Sequence, residues 1–137
     1  MTEAGEQLPE HRIGPVSAEK MKTMSALMRD ANPIHFDESA VRALGLGERV
    51  INQGPLNQAY VLDMLSRWAG GADRVRGVRL RYLGTVFAGD HLCARGTVRE
   101  VADEEGRRVA ICDVQLDVLG GRTVLSGTAT VLLEENR

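Results

Sequence analysis

Residues 53–71 read QGPLNQAYVLDMLSRWAGG, and no other stretch constrains the architecture as tightly. Proline is favoured at the first helical position, so Pro55 starts a helix that Gly54 can cap. Val61, Met64, Leu65, Trp68 and Ala69 follow at i, i+3, i+4, i+7 and i+8, one face of a helix. Leu56, Ala59, Tyr60 and Leu62 add apolar surface around the same cylinder. An apolar circumference that wide predicts a helix enclosed by other structure, with Gly70-Gly71 as its stop.

Beyond that stop the period changes from helical to two. Val78, Leu80 and Tyr82 alternate with Arg79 and Arg81, so Arg74 to Tyr82 is expected to be a strand. Leu92 to Val101, Ala110 to Val118 and Thr123 to Leu133 continue the pattern. Ala88-Gly89-Asp90, Asp103 to Gly106 and Gly120-Gly121 supply turns, the last a strong two-residue hairpin signal. Four consecutive strands joined this way predict an antiparallel meander. His11 to Val16 can add a short fifth strand ending at Gly14-Pro15. The expected architecture is α+β, a curved antiparallel sheet wrapped around a long central helix. A long exposed edge on such a sheet invites dimerisation, through the edge or through the helix layer.

N-terminal to the helix lies the chemistry-bearing segment, Asp30-Ala31-Asn32-Pro33-Ile34-His35-Phe36-Asp37. Ser17 is expected to cap a helix that buries Met21, Met24, Leu27 and Met28 as core packing. Asn32 precedes a proline and is pushed out of helical geometry, so that helix should stop near Asp30. A carboxylate there is disfavoured by the helix dipole, which raises a functional question without answering it. Alone, an Asp and a His at this spacing read more readily as a turn than as a site. Asp37 should cap a second short helix stopped by Gly45, and the two pieces together suit a segment that overhangs and walls a cleft. His11 is read as a surface residue, and residues 1–10 as loosely held.

Composition narrows the function classes. The chain has 137 residues, 43% of them hydrophobic and 26% charged, with a net charge of −2. One domain spanning residues 1–137 is expected. Nothing points to a nucleic acid or an acidic membrane surface. Cys93 and Cys112 lie in apolar patterns and read as reduced core residues. No signal peptide or membrane-length apolar run is found, so the expected location is cytoplasmic. Neither His nor Cys clusters at metal-ligand spacing, so no metal or prosthetic group is expected.

The motif Asp30-x-Asn32-Pro33-x-His35-x-Asp37 resembles the hydratase signature of the MaoC-like hydratase and dehydratase family, whose fold is the hot dog. The resemblance continues through Gln53-Gly54, where members usually have His-Gly, and through Arg81-Tyr82, Val86 and Gly89-Asp90. It covers roughly Ser17 to the end. Departures are Gln53 for His, Pro55 for Met, Leu62 for a central-helix serine, Tyr82 for Phe and Thr85 for Pro.

The resemblance implies reversible hydration of a 2-enoyl thioester, carried by coenzyme A or an acyl carrier protein, to a 3-hydroxyacyl thioester. Asp30 and His35 would be the catalytic pair, one taking a proton from water and the other returning one to the substrate. Gly54 would aim its amide at the thioester carbonyl, with Asn32 and Gln53 supporting the site. Gln53, Asn57 and Gln58 are either partial substitutes for missing polar groups or a solvated helix face. Arg79 and Arg81, with Arg74 and Arg76, either grip carrier phosphates or form the wet face of a strand. Tyr60 and Trp68 are expected in packing. Coenzyme A or phosphopantetheine enters only as part of the substrate. A homodimer is expected, or a heterodimer with another MaoC-like subunit. In the latter case the chain could be mainly a thioester-binding subunit. A hot dog thioesterase is the third reading, since fold does not fix function.

Overall fold

The computed structural model describes residues 1–133. In chain order it contains β1 (His11–Ile13), α1 (Ala18–Met28), a 3-10 turn (Pro33–His35), α2 (Glu38–Ala43) and α3 (Gly54–Ala69). A second 3-10 turn (Ala72–Arg74) leads into β2 (Val75–Tyr82), β3 (Leu92–Glu104), β4 (Arg107–Val118) and β5 (Thr123–Leu132). The strands form one antiparallel sheet in the order β1-β3-β4-β5-β2.

The sheet curves over α3, as the alternation of apolar residues requires. Val61, Met64 and Leu65 of the helix meet Leu92, Ala94, Val98, Ala110, Cys112, Val114, Leu116, Leu125, Ala129 and Val131 of the strands. Each of those three helix side chains contributes roughly 1.5–3 kcal/mol by leaving water. Enclosure is one-sided, however. Ala59 is exposed and Leu62 only half-buried, so one flank of α3 is open in the isolated chain.

The expected four-strand meander is corrected to three strands, β3-β4-β5. β2 lies at the far edge and pairs only with β5, with Leu80 opposite Gly127. Tight turns join β3 to β4 and β4 to β5, but residues 83–91 separate β2 from β3 and do other work. The Asn52 N–H donates to the Val86 carbonyl, and the Ala88 and Gly89 N–H groups donate to Val50 and Val16. The turn at Ala88-Gly89-Asp90 therefore anchors the approach to α3 instead of closing a hairpin.

Three smaller expectations also change. Residues 5–8 are not loosely held: Gly5 and Leu8 donate to Val98 and Gly96 of β3, and Leu8 is buried. Leu27 and Met28 are exposed, because the buried face of α1 is Met21 and Ser25 instead. His11 is not an unpartnered surface residue. Its Nε2 lies 2.9 Å from Asp63 and its Nδ1 3.2 Å from the Arg67 guanidinium, both on α3. Both cysteines are buried thiols. Cys112 faces the core, and burial pushes it up to about 11; the Cys93 thiol instead donates to Glu10, and burial raises it too.

Candidate active site

The end of α1 places the carboxylate. Arg29 adopts left-handed geometry at φ 52°, and the Asp30 N–H then bonds back to the Ser25 carbonyl at 2.9 Å. For a residue with a Cβ this geometry costs about 1–2 kcal/mol, so the local strain sits beside Asp30. Asn32 braces the turn between the acid and the imidazole. Its N–H donates to Asp30 Oδ1 at 3.0 Å, and its side chain accepts from the Ile34 N–H at 3.3 Å, capping the turn that carries His35.

His35 is buried and fixed from behind. Its Nδ1 lies 2.7 Å from the Ile51 carbonyl oxygen. A carbonyl only accepts, so Nδ1 carries the hydrogen and donates. Ile51 in turn donates its N–H to the Ile34 carbonyl at 2.9 Å, clamping the turn against the strand-like approach to α3. Nε2 is thereby aimed at Asp30 Oδ2, 3.3 Å away. The structure brings these two side chains together.

The carbonyl that holds His35 is three residues from Gly54, the first residue of α3. Pro55 has no N–H and the amides of Leu56 and Asn57 bond to Gln53, which leaves the Gly54 N–H without an acceptor among the described residues. Tyr82 lies over Gly54, its hydroxyl 3.2 Å from the Gly54 carbonyl and 3.3 Å from Gln58 Oε1.

A cleft of about 450 Å³ opens in front of Asp30, lined by Lys22, Ser25, Ala26, Arg29, Asp30, Ala31 and Phe36. Every lining residue belongs to the segment expected to wall a cleft.

Gln53 and Asn57 are not a solvated face. Both are buried, and Gln53 is only 1% exposed. Gln53 Nε2 donates to the Met21 carbonyl at 2.9 Å and to Ser25 Oγ at 3.0 Å, tying α1 to α3. Asn57 Oδ1 accepts from Asn52 Nδ2 at 2.8 Å, and the same amide reaches the Tyr60 hydroxyl at 3.3 Å. Asn52 and Ser25 escaped the sequence reading; the polar pair Asn52-Gln53 just before an apolar helix, and Ser25 four residues after Met21, were the available signals. Among the described residues, buried Asn52 Oδ1 and Gln53 Oε1 find no partner, a cost of about 1–3 kcal/mol each.

Arg79 and Arg81 are not brought to the pair. Val78 and Leu80 point into the core, so the two arginines lie on the opposite face of the sheet. There they line a separate depression of about 280 Å³ with Ser126, Gly127 and Thr128.

A curved antiparallel sheet wrapped around one long helix is the hot dog fold. The chain belongs to the MaoC-like dehydratase family: a MaoC like domain is matched over residues 2–118. It is 30% identical over 128 residues to a UPF0336 protein of Leifsonia xyli subsp. xyli, covering 86% of this chain and 84% of that one. It is similar in structure to the (R)-hydratase from A. caviae involved in PHA biosynthesis, with TM-score 0.83, 25% identity, and 97% and 98% of the two chains covered. The ChsH1-ChsH2 complex of Mycobacterium tuberculosis shares the fold, with TM-score 0.81, 20% identity, and 98% and 100% covered.

Proposed function

We propose that this protein hydrates 2-enoyl thioesters, of coenzyme A or an acyl carrier protein, reversibly to 3-hydroxyacyl thioesters. The observation that carries the reading is the Asp30–His35 pair, 3.3 Å apart, with Asp30 lining the cleft and the far side of the buried imidazole locked onto Ile51.

The reaction needs a base for water and an acid for the α carbon, held at once. With one proton on Nε2, the imidazolium faces a carboxylate. A water bound alongside the pair, against the carboxylate, gives a proton to Asp30 as its oxygen bonds to C3, and His35 Nε2–H protonates C2. The proton on Asp30 then crosses back to Nε2, which restores the pair. Atoms balance without a redox group or metal. Charge develops on the thioester oxygen, where the Gly54 N–H and the positive end of α3 stabilise it. Asn32 and Gln53 position the parts without touching the reacting atoms.

Hydration of a panel of 2-enoyl-coenzyme A thioesters, followed by loss of the conjugated absorbance, tests this. Asp30→Asn and His35→Gln are each expected to lower kcat by about 10²–10⁴-fold while the fold is kept. Wild-type rates in both variants would overturn the mechanism. Free thiol release instead of hydration would select the thioesterase reading.

A second reading is favoured by one observation. Leu27, Met28, Leu44 and Leu46 stand exposed on the segment that walls the cleft. A homodimer would cover them, and so would a different MaoC-like subunit with this chain contributing thioester-binding surface.

A further inference from the structure

The Ser25 hydroxyl is left over by the catalytic pair. Hydroxyls inside helices commonly donate to the carbonyl four residues back. Thr23 does so to Glu19 at 3.2 Å and Ser66 to Leu62 at 2.8 Å. Ser25 does not. Its counterpart carbonyl, Met21, is taken by Gln53 Nε2, and the same Nε2 donates to Ser25 Oγ. Ser25 Oγ is thus an acceptor on its buried side, and among the described residues nothing receives its proton. Ser25 lines the cleft together with Asp30.

Gln53 fixes this arrangement, and its orphaned oxygen shows that the orientation is imposed. Turning the amide over would give Oε1 a new environment but would set it against the Met21 carbonyl, acceptor on acceptor. The amide therefore stays with Nε2 toward α1, and Oε1 remains buried and unpaired. This also gives a role to the residue that departs from the family's usual histidine.

We propose that Ser25 is a ligand-contacting donor, preset by Gln53, that binds an amide carbonyl of the thioester's pantetheine arm along the α1 cleft. The identity of the ligand rests on the hydratase reading above. Position and chemistry both fit. Ser25 sits about one helical turn, ~5.4 Å, before the end of α1 that carries Asp30. The first amide of a pantetheine arm begins two carbons beyond the sulfur, a comparable distance from the reacting carbons. Ala26, Ala31 and Phe36 offer apolar surface to the arm's methylenes, and Lys22 and Arg29 bracket the same cleft with positive charge. The contact is made equally in ground and transition states, so it acts on binding and not on turnover.

Ser25→Ala is expected to raise KM for an enoyl-coenzyme A about 3–10-fold, the size of one neutral hydrogen bond, with kcat within about twofold. Calorimetry with hexanoyl-coenzyme A, which cannot be hydrated, should show Kd weakened by the same factor. Gln53→Leu should also weaken hexanoyl-coenzyme A binding, because Ser25 is then released to the Met21 carbonyl, and adding Ser25→Ala in that background should weaken Kd no further. Ser25→Thr, which keeps the donor, should recover most of the affinity. Unchanged KM and Kd in Ser25→Ala would overturn the proposal, and so would a fall in kcat at constant KM. A wild type that hydrates nothing, yet binds hexanoyl-coenzyme A through Ser25, would keep this inference and remove the hydratase reading. Absence of both would remove both.

Discussion

Gly54 is a position where the proposed chemistry and the fold can be tested apart. A Cβ built there would approach Tyr82 Cε1 at 3.3 Å, a ring atom and not backbone. Tyr82 is 51% exposed, so the ring can move aside. Gly54→Ala should therefore fold normally by circular dichroism and unfold within about 1 kcal/mol of wild type. Its kcat/KM should fall about tenfold or more, because the methyl group stands where a thioester carbonyl must approach the amide. Full activity in the folded variant would remove Gly54 from the site. At this scale the sequence was most informative where partners are close in the chain. Asp30 and His35 are five residues apart across a proline; that spacing alone read as a turn, and it was the motif around it, with its family resemblance, that marked the two as a pair. Ser25 and Gln53 meet across 28 residues, and His35 meets Ile51 across 16, so neither contact leaves a local trace. Arg79 and Arg81 were left open for the opposite reason. Alternation told which face of the strand they share, but not which face of the sheet carries the site.

The elements themselves were legible because each has its own punctuation. Ser17 and Asp37 cap α1 and α2 through their side chains, and Gly70 ends α3 in left-handed geometry. Strand order was not legible, because a period of two fixes a strand's faces and says nothing of its neighbour. The β2–β5 pairing depends on a residue with no side chain. A Cβ at Gly127 would run into the Arg79 carbonyl oxygen and lie 3.0 Å from Leu80 Cα, both fixed backbone atoms. β2 has no other partner in the sheet, so it must be the element that yields. Gly127→Ala should lower the urea midpoint by an amount worth about 1–3 kcal/mol. Amide exchange should accelerate in residues 75–82 well before β3 or β4 responds. Uniform exchange across the sheet, or an unchanged midpoint, would show that β2 is held by something other than this close approach.

The isolated chain leaves two kinds of surface unfinished. One is the outer edge of β2, which pairs on its inner side only and ends at exposed Tyr82 and Leu83. The other is the cleft wall, where Leu27 is 74% and Leu44 63% exposed. Large apolar side chains gathered on one segment usually mark an interface. A second copy of this chain would cover both surfaces by a twofold operation, the commonest arrangement for a small protein. Sedimentation equilibrium at micromolar concentration is therefore expected to return twice the 14.9 kDa of the chain. Leu27→Glu should shift that mass toward the monomer, because a charge would have to be buried unpaired. A wild-type protein that sediments as a monomer and still hydrates enoyl thioesters would show that the open cleft works uncovered. A monomer without activity, converted to an active species by another MaoC-like subunit, would decide for the heteromeric reading. The catalytic pair would then be complete in this chain and the pocket completed by the other.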